Sequence, residues 1–201
     1  MTFKENYIMT IYGKKGSGKS YLAENFTEKL NRLIVWDTMR IFDVSFIPVY
    51  SFKSFLKYVN KIRNNEIVKF RLSLRLNKAY FDDVCKILTT LDKLTFIVDE
   101  LQVYVSALKI PDGLNELITE SRHFEINLIF ITQRPVFIPR IILANADYIA
   151  CFEMQLKSDL DIISTYKYSN PEAIKTLGDY QFYFIDLKRK KGYVCKVWLY
   201  L

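Results

Sequence analysis

The stretch that decides the fold is "YIMTIYGKKGSGKSY", residues Tyr7 to Tyr21. Its apolar beginning, Tyr7 to Tyr12, predicts a β-strand, and the segment from Lys19 to about Asn31 has the apolar periodicity of a helix. Between them stands a glycine-rich turn with the spacing G-x-x-x-x-G-K-[ST]. A turn of this kind, placed directly after a strand and directly before a helix, is the arrangement that binds phosphate groups.

The chemistry of a phosphate explains the spacing. Glycines allow successive backbone N–H groups to point at an anion, and the helix N-terminus adds partial positive charge at the same place. We expect Lys19 to reach the β- and γ-phosphates of ATP and the Ser20 hydroxyl to bind Mg²⁺. The alternative is a glycine-rich turn that matches by chance. The residues predicted to surround the nucleotide are Gly13, Lys14, Lys15, Gly16, Ser17, Gly18, Lys19, Ser20 and Tyr21.

A second polar site follows the apolar run "LTFIVDE", which ends at Asp99 and Glu100. In a parallel sheet, ligands bind at the carboxyl ends of the strands, so these acids are expected beside the phosphate loop. Asp99 is predicted to hold Mg²⁺ through water, and Glu100 to act as the general base for an attacking water. The alternative is a pair of solvated acids at a strand end. An acid next to the metal ligand favours hydrolysis over transfer to a small acceptor.

A further strand is predicted at Asn127 to Thr132, and it is followed by the polar residues Gln133 and Arg134 and by Pro135. An uncharged amide at a strand end can hydrogen-bond both a γ-phosphate and a water molecule. Gln133 is therefore a candidate for contacting the nucleotide. Arg134 and Pro135 are interpreted as structural, because proline ends strand pairing.

The segment "SRHFEINLIFITQRP" resembles the FtsK/HerA superfamily of P-loop ATPases, in which an arginine precedes an apolar strand that ends in T-Q-R-P. The segments "IILANADYIACF" and "TLGDYQFYF" are similar to downstream parts of the same superfamily. The resemblance implies that Gln133 senses the γ-phosphate and that Arg122 is an arginine finger acting on a neighbouring subunit; a solvated Arg122 is the alternative. The sequence departs from the pattern at Lys14 and Lys15 and in the shortened turn Leu177 to Asp179.

The order of predicted elements gives the fold class. Strands that are apolar throughout alternate with helices, which predicts a three-layer α/β fold with a mainly parallel sheet flanked by helices. The resemblance makes this a RecA-like, additional-strand P-loop ATPase. A C-terminal β-hairpin is predicted to pair Gln181 to Leu187 with Tyr193 to Tyr200. No linker or repeat is found, so one P-loop ATPase domain is expected over residues 1–201.

Composition limits the class of protein further. The 201 residues are half hydrophobic, which is typical of a folded domain. The formal net charge is +7, which suits a polyanionic partner. The cysteines Cys85, Cys151 and Cys195 are widely spaced in apolar runs and are interpreted as buried free thiols of a reducing compartment. No signal peptide or membrane-spanning segment is recognised, so a cytoplasmic protein without stable membrane insertion is expected.

An arginine finger that acts between subunits requires an oligomer. A ring of basic subunits suits a polyanion that passes through its centre. The resemblance therefore implies a homo-oligomeric ring, with a hexamer as one candidate, that translocates double-stranded DNA. Such a core-only member most resembles the genome-packaging ATPases of tailless icosahedral viruses, with capsid or internal-membrane proteins as further partners. A small nucleotide kinase and an ATPase for DNA transfer or for filamentous-phage-type export or assembly are the alternatives. Candidate DNA-contacting groups are the turn Lys188 to Lys191 and the patch Lys69, Arg71 and Arg75; solvated charge is the alternative for both.

Overall fold

The computed structural model describes residues 6–37, 39–42 and 45–197. Within these residues, nine strands form a single sheet. In chain order the strands are β1 (Ile8–Tyr12), β2 (Arg32–Trp36), β3 (Ile47–Val49), β4 (Phe70–Leu74), β5 (Thr95–Val98), β6 (Asn127–Thr132), β7 (Tyr148–Cys151), β8 (Gln181–Asp186) and β9 (Lys191–Lys196).

The sheet has the strand order β3-β4-β2-β5-β6-β1-β7-β8-β9. The first seven strands in this order are parallel, and β8 and β9 are antiparallel to their neighbours. Strand β6 lies between β1 and β5, pairing Thr132 with Tyr12 and Phe130 with Val98. The prediction of an additional strand between the phosphate-loop strand and the acidic strand is therefore confirmed. The carboxyl ends of β1, β5 and β6 meet at one edge of the sheet.

Helices cover both faces of this sheet. Alternate side chains of β1 enter different cores: Met9 and Ile11 pack with Leu22 of the first helix, whereas Ile8 and Tyr12 belong to the core on the opposite face. Both faces are thus apolar, as a buried parallel sheet requires. The helices are α1 (Lys19–Thr27), α2 (Phe52–Arg63), α3 (Phe81–Leu88), α4 (Asp112–Glu120), α5 (Arg140–Asn145), α6 (Lys157–Ser164) and α7 (Pro171–Lys175). The three-layer α/β prediction is confirmed.

The starts of α2 and α4 are stabilised in different ways. Ser51 accepts a hydrogen bond from the Ser54 backbone N–H at 3.1 Å and caps the start of α2. Asp112 is the first residue of α4, after Pro111. There its negative charge still lies near the positive end of the helix dipole.

The structure differs from the predicted elements at the edge strand β3 and at the ends of other elements. Strand β3 was missed because it has three residues and contains Pro48, which a strand tolerates only at a sheet edge, and β3 is indeed an edge strand. A 3₁₀ turn at Lys78–Tyr80 precedes α3, which ends at Leu88. The predicted C-terminal hairpin is present as β8 and β9, and residues 198–200 of its second predicted strand lie outside the described residues.

The three thiols differ in their surroundings. Cys85 and Cys151 are fully buried, and burial raises the pKa of both thiols well above the usual range. Cys195 is only partly buried, and desolvation raises its pKa to about 11. All three are free thiols, as expected from their spacing. Across the described part of the chain, every helix is too short or too polar to span a bilayer.

Candidate nucleotide-binding and hydrolysis site

The phosphate loop connects β1 to α1 and depends on two glycines. A side chain at Gly13 would come within 2.6 Å of Ser17 Oγ and 2.7 Å of Phe152 Cβ, so the loop closes over its own start only with glycine there. Gly18 precedes α1 with φ at 98°, a left-handed conformation that residues with a Cβ rarely adopt. The predicted phosphate loop therefore has the backbone that its motif requires.

Lys19 is the first residue of α1, and its side chain is buried. Its Nζ donates a hydrogen bond of 2.9 Å to the carbonyl oxygen of Lys14, which folds the ammonium group over the loop. Burial lowers the pKa of Lys19, and the charges of Glu100 and Asp99 oppose that change. The ammonium group therefore lies inside the loop in the field of both acids, where a phosphate of a nucleotide would compensate its desolvation.

The remaining residues of the predicted loop set have different positions. Lys14 is exposed and forms an ion pair of 3.0 Å with Glu153, while Ser17 Oγ is buried without a hydrogen-bond partner. Ser20 and Tyr21 belong to the first turn of α1, whose backbone N–H groups have no acceptor within the helix. Tyr21 is partly buried and packs against the core that contains Leu22.

Asp99 lies at the carboxyl end of β5, and only 1% of its surface is exposed. Its Oδ2 atom has no hydrogen-bond partner. Burial, together with the nearby charges of Glu100 and Asp37, raises the pKa of this carboxyl group to about 7, although the charge of Lys19 acts in the opposite direction. A buried acid with an unpartnered oxygen is the kind of group that a bound cation would stabilise.

Glu100 directly follows Asp99 and has a left-handed backbone, with φ at 55° and ψ at 50°. The Nε2 atom of Gln133, at the end of β6, lies 3.3 Å from each of the two carboxylate oxygens of Glu100. The predicted base and the predicted sensor are therefore in direct contact. Since β5 and β6 are adjacent parallel strands, residues that follow their last pairs meet at the same edge.

Gln102 is a site residue that sequence reasoning missed. Its Nε2 atom donates to Glu100 Oε2, and its Oε1 atom accepts a hydrogen bond of 2.6 Å from Thr132 Oγ1. A carboxylate can only accept, so the amide nitrogen of Gln102 must face Glu100 and its oxygen must face the hydroxyl. Thr132 thereby fixes the orientation of Gln102. A glutamine two residues after an acidic pair carries no motif, so only the spatial contact reveals it.

Arg122 lies at the amino ends of the parallel strands, whereas the phosphate loop lies at their carboxyl ends. Its Nη2 atom is 3.5 Å from Oδ1 of Asp147, and Asp147 Oδ2 accepts the backbone N–H of Ile8 at the amino end of β1. The five residues of β1 separate this edge from the loop by roughly 15 Å. Arg122 therefore does not contact the phosphate loop of its own chain, and its side chain is 60% exposed. Its predicted action on a neighbouring subunit stays a prediction.

The basic patch predicted at Lys69, Arg71 and Arg75 is corrected in two of its three members. Arg71 Nη1 donates to the carbonyl oxygens of Thr27 at 3.0 Å and Leu30 at 3.1 Å, which closes the end of α1. Its guanidinium group also lies 4.6 Å from the ring centroid of Phe46. Arg71 is thus occupied within the chain and stabilises the fold.

Arg75 is likewise occupied. Its Nε atom lies 3.3 Å from Oδ2 of Asp37, a fully buried acid at the end of β2. Ser73 Oγ donates to the same oxygen at 2.9 Å, and the Ile41 backbone N–H donates to Oδ1 at 2.9 Å. Because a buried carboxylate needs this charge compensation, Arg75 is a structural residue.

The structural interpretation of Arg134 agrees with its contacts. Arg134 Nε donates to Oδ2 of buried Asp159 at 2.9 Å, and its Nη2 atom donates to Ser158 Oγ at 3.1 Å. These contacts fasten the end of β6 to α6. Pro135 begins a 3₁₀ turn directly after the strand.

The residues at this edge fit a nucleotide with a divalent cation. The loop offers backbone donors and a buried ammonium group to phosphates, and Asp99 offers an unpartnered carboxylate oxygen close to them. Ser20 stands next to Lys19 in α1 and is the predicted second oxygen ligand. Oxygen ligands of this kind suit Mg²⁺.

The fold and the phosphate loop define a P-loop ATPase. Residues 3–137 match the AAA domain family, and the chain belongs to that family. A comparison with curated proteins gives no match.

Solved structures from several organisms are similar to this chain. The genome-packaging NTPase B204 of Sulfolobus turreted icosahedral virus 2, in complex with AMPPCP, superposes with a TM-score of 0.80 at 22% identity, covering 96% of this chain and 99% of that chain. VirB4 of Thermoanaerobacter pseudethanolicus has a TM-score of 0.65 at 12% identity, covering 96% and 89%. The N-terminal domain of zonular occludens toxin from Neisseria meningitidis has a TM-score of 0.56 at 13% identity, covering 98% and 95%. The expected resemblance to packaging ATPases is confirmed in the fold.

Proposed function

We propose that the protein is an ATP-hydrolysing motor that translocates double-stranded DNA and packages a viral genome into a preformed capsid. One observation carries this proposal: the chain has the same fold as a viral genome-packaging NTPase over nearly the whole of both chains. The net charge of +7 suits a DNA partner. Capsid or internal-membrane proteins would dock the motor, and it would work in the host cytoplasm or on the virion.

The hydrolysis step follows from the contacts at the carboxyl edge. The phosphate loop and Lys19 bind the phosphates, and Ser20 and Asp99 would hold Mg²⁺, which supplies charge compensation for the phosphate oxygens. Glu100 accepts a proton from the attacking water, whose oxygen forms a bond to the γ-phosphorus as the bond to the β–γ bridging oxygen breaks. Gln133 donates a hydrogen bond toward the γ-phosphate or the water and thereby links nucleotide state to the position of Glu100.

Two features at the amino ends of the parallel strands, opposite the phosphate loop, suit assembly and DNA contact. Arg122 would stabilise the charge that develops on the γ-phosphate of ATP bound to a neighbouring copy in a homo-oligomeric ring such as a hexamer. The turn between β8 and β9 and the first residue of β9, Lys191, lie at this same edge, where Lys188 Nζ is 3.6 Å from Asp147. The exposed side chains of Arg189, Lys190 and Lys191 would contact DNA phosphates without reading bases, whereas Lys188 is paired within the chain.

The test is ATP turnover with and without double-stranded DNA under conditions that form oligomers, with Lys19→Ala as the inactive control. We expect DNA to increase turnover, and the increase to weaken with salt because phosphate contacts release counterions. Turnover that ignores DNA at every oligomer concentration would contradict the motor. Transfer of phosphate to a nucleoside would support the kinase alternative instead.

A second candidate is an ATPase for DNA transfer or for export and assembly. The structural similarity to VirB4 favours it specifically. The two candidates differ in their partners: a packaging motor should bind empty capsids of its own virus and fill them in an ATP-dependent packaging assay. Binding to a membrane secretion complex without capsid binding would support the second candidate.

A further inference from the structure

A cavity of about 220 Å³ lies beside the phosphate loop, on the side away from Glu100 and Gln133. It is bounded by the loop on one side and by Phe152 and the turn Gly178 to Gln181 on the other. The hydrolysis mechanism uses none of the residues in that turn. The cavity belongs to the same edge of the sheet as the phosphate loop.

The strand order decides which end of a nucleotide would reach this cavity. The residues assigned to the γ-phosphate follow β5 and β6, on one side of β1, whereas the cavity lies at β7 and β8, on the other side. A nucleoside triphosphate that places its γ-phosphate beside Glu100 and lies along the loop carries its sugar and base across β1. Its base then comes to the 178–181 turn.

Tyr180 presents an aromatic ring at this position. The residue is 43% exposed, and its Cδ1 atom is 3.7 Å from the point where a Cβ of Gly18 would stand. Phe152 Cε1 is at the same distance from that point. The last glycine of the phosphate loop thus lies under two aromatic rings, and a side chain in its place would occupy the space between them.

The backbone holds Tyr180 firmly in this orientation. Its φ angle is 58°, which is uncommon for a bulky residue. The Val197 backbone N–H donates to its carbonyl oxygen at 2.8 Å. On either side of it, the Gln181 backbone N–H donates to the Gly178 carbonyl at 3.1 Å, and the Gly178 N–H donates to Gln181 Oε1 at 2.9 Å. An exposed ring on a turn fixed at both ends loses little conformational entropy when a flat ligand stacks on it.

We propose that Tyr180 stacks on the base of the bound nucleotide, so that this cavity is the nucleobase subsite and favours purine over pyrimidine nucleotides. The proposal rests on the nucleotide site proposed above. Stacking depends on ring area, and a purine offers two fused rings to the Tyr180 face. Every base has such a face, so the subsite discriminates by size and not by a hydrogen-bond code.

The test compares binding of ATP with binding of inorganic triphosphate, each with Mg²⁺, by calorimetry. Tyr180→Ala should weaken ATP binding about tenfold, which corresponds to the loss of one stacking contact, and leave inorganic triphosphate binding unchanged. Tyr180→Phe keeps the ring and should bind ATP as the wild type does.

The matched control is Tyr50→Ala, which removes an exposed tyrosine that directly follows the outermost strand β3. It should not change ATP binding. If Tyr180→Ala does not fold, Tyr180→Leu, which keeps an apolar side chain without a ring, replaces it with the same expected loss.

Two results would overturn the proposal: ATP binding of Tyr180→Ala equal to that of the wild type, or equal losses for ATP and inorganic triphosphate. Equal losses would mean that the turn only supports the loop. Wild-type protein that binds neither compound would instead contradict the nucleotide site itself, so the two failures are distinguishable.

Discussion

The side-chain amide of Gln133 lies 3.3 Å from both carboxylate oxygens of Glu100, although the two residues are 33 positions apart in the chain. The contact joins the ends of β6 and β5. A γ-phosphate that attracted the amide would release the carboxylate for proton transfer. In the proposed mechanism, this contact would connect nucleotide recognition to hydrolysis.

Gln133→Ala should leave ATP affinity near that of the wild type and lower kcat by about 10²- to 10³-fold, because the amide contact is needed in the transition state. Nucleotide binding and steady-state turnover measure the two quantities. Gln155→Ala is the control, since its exposed amide contacts Glu153 and Lys175 instead. Normal turnover in the Gln133 variant would contradict its role as a sensor.

Glu100→Gln should bind ATP and fail to cleave it, with kcat lower by about 10²- to 10⁴-fold, because the amide cannot accept the proton of water. Single-turnover measurements with bound ATP separate this defect from slow product release. Glu116→Gln, which changes an exposed acid of α4, is the control. Wild-type turnover of Glu100→Gln would remove Glu100 as the base.

Gln102→Met removes an amide that holds Glu100 while keeping a side chain of similar size. We expect kcat to fall about tenfold with KM unchanged, since one hydrogen bond to a charged group is lost. Thr132→Val should have a similar but smaller effect, because it only frees the orientation of Gln102. The double variant should be no worse than Gln102→Met alone; additive losses would show that the two residues act independently.

Asp99 should make the metal-free protein less stable at higher pH. Its folded-state pKa of about 7 is above its unfolded value of 3.8, so the folded state binds more protons between these values and stability falls as the pH rises through them. Asp99→Asn should remove this loss and be more stable at pH 8 by on the order of 2–4 kcal/mol. Urea unfolding with a chelator at pH 5 and pH 8 measures it.

The control for that measurement is Asp161→Asn, which changes an exposed acid of α6. It should keep the wild-type dependence of stability on pH. A wild-type dependence in Asp99→Asn would show that another group causes it.

Arg122→Ala should abolish turnover and spare ATP binding if its guanidinium group acts on a neighbouring copy. Mixing this variant with Lys19→Ala should restore part of the activity, because some interfaces then combine an intact loop with an intact arginine. Arg122→Lys should remain poorly active, since lysine lacks the forked donor geometry. If mixed oligomers recover no activity, Arg122 has only the structural role of pairing with Asp147.

Much of the fold was predictable because its signals are local. The phosphate loop is a continuous motif, and the parallel strands are buried on both faces, so their apolar runs are visible without knowing their neighbours. The short edge strand Ile47–Val49 was not predictable, because its pairing with β4 and not its own composition makes it a strand. The candidate residues Lys19, Asp99, Glu100 and Gln133 were named from the sequence, and their functional roles stay predictions.

By itself, the sequence determined that a phosphate loop, an acidic strand end and an amide strand end exist in one α/β chain. Only the tertiary structure decided that Gln102 and Thr132 hold Glu100, that Arg71 and Arg75 are occupied within the chain, and that Arg122 lies far from its own phosphate loop. The physical reason is that strand order arises from pairing between distant segments. A side chain's partners are set by that order, whereas its local structure is set by the residues next to it.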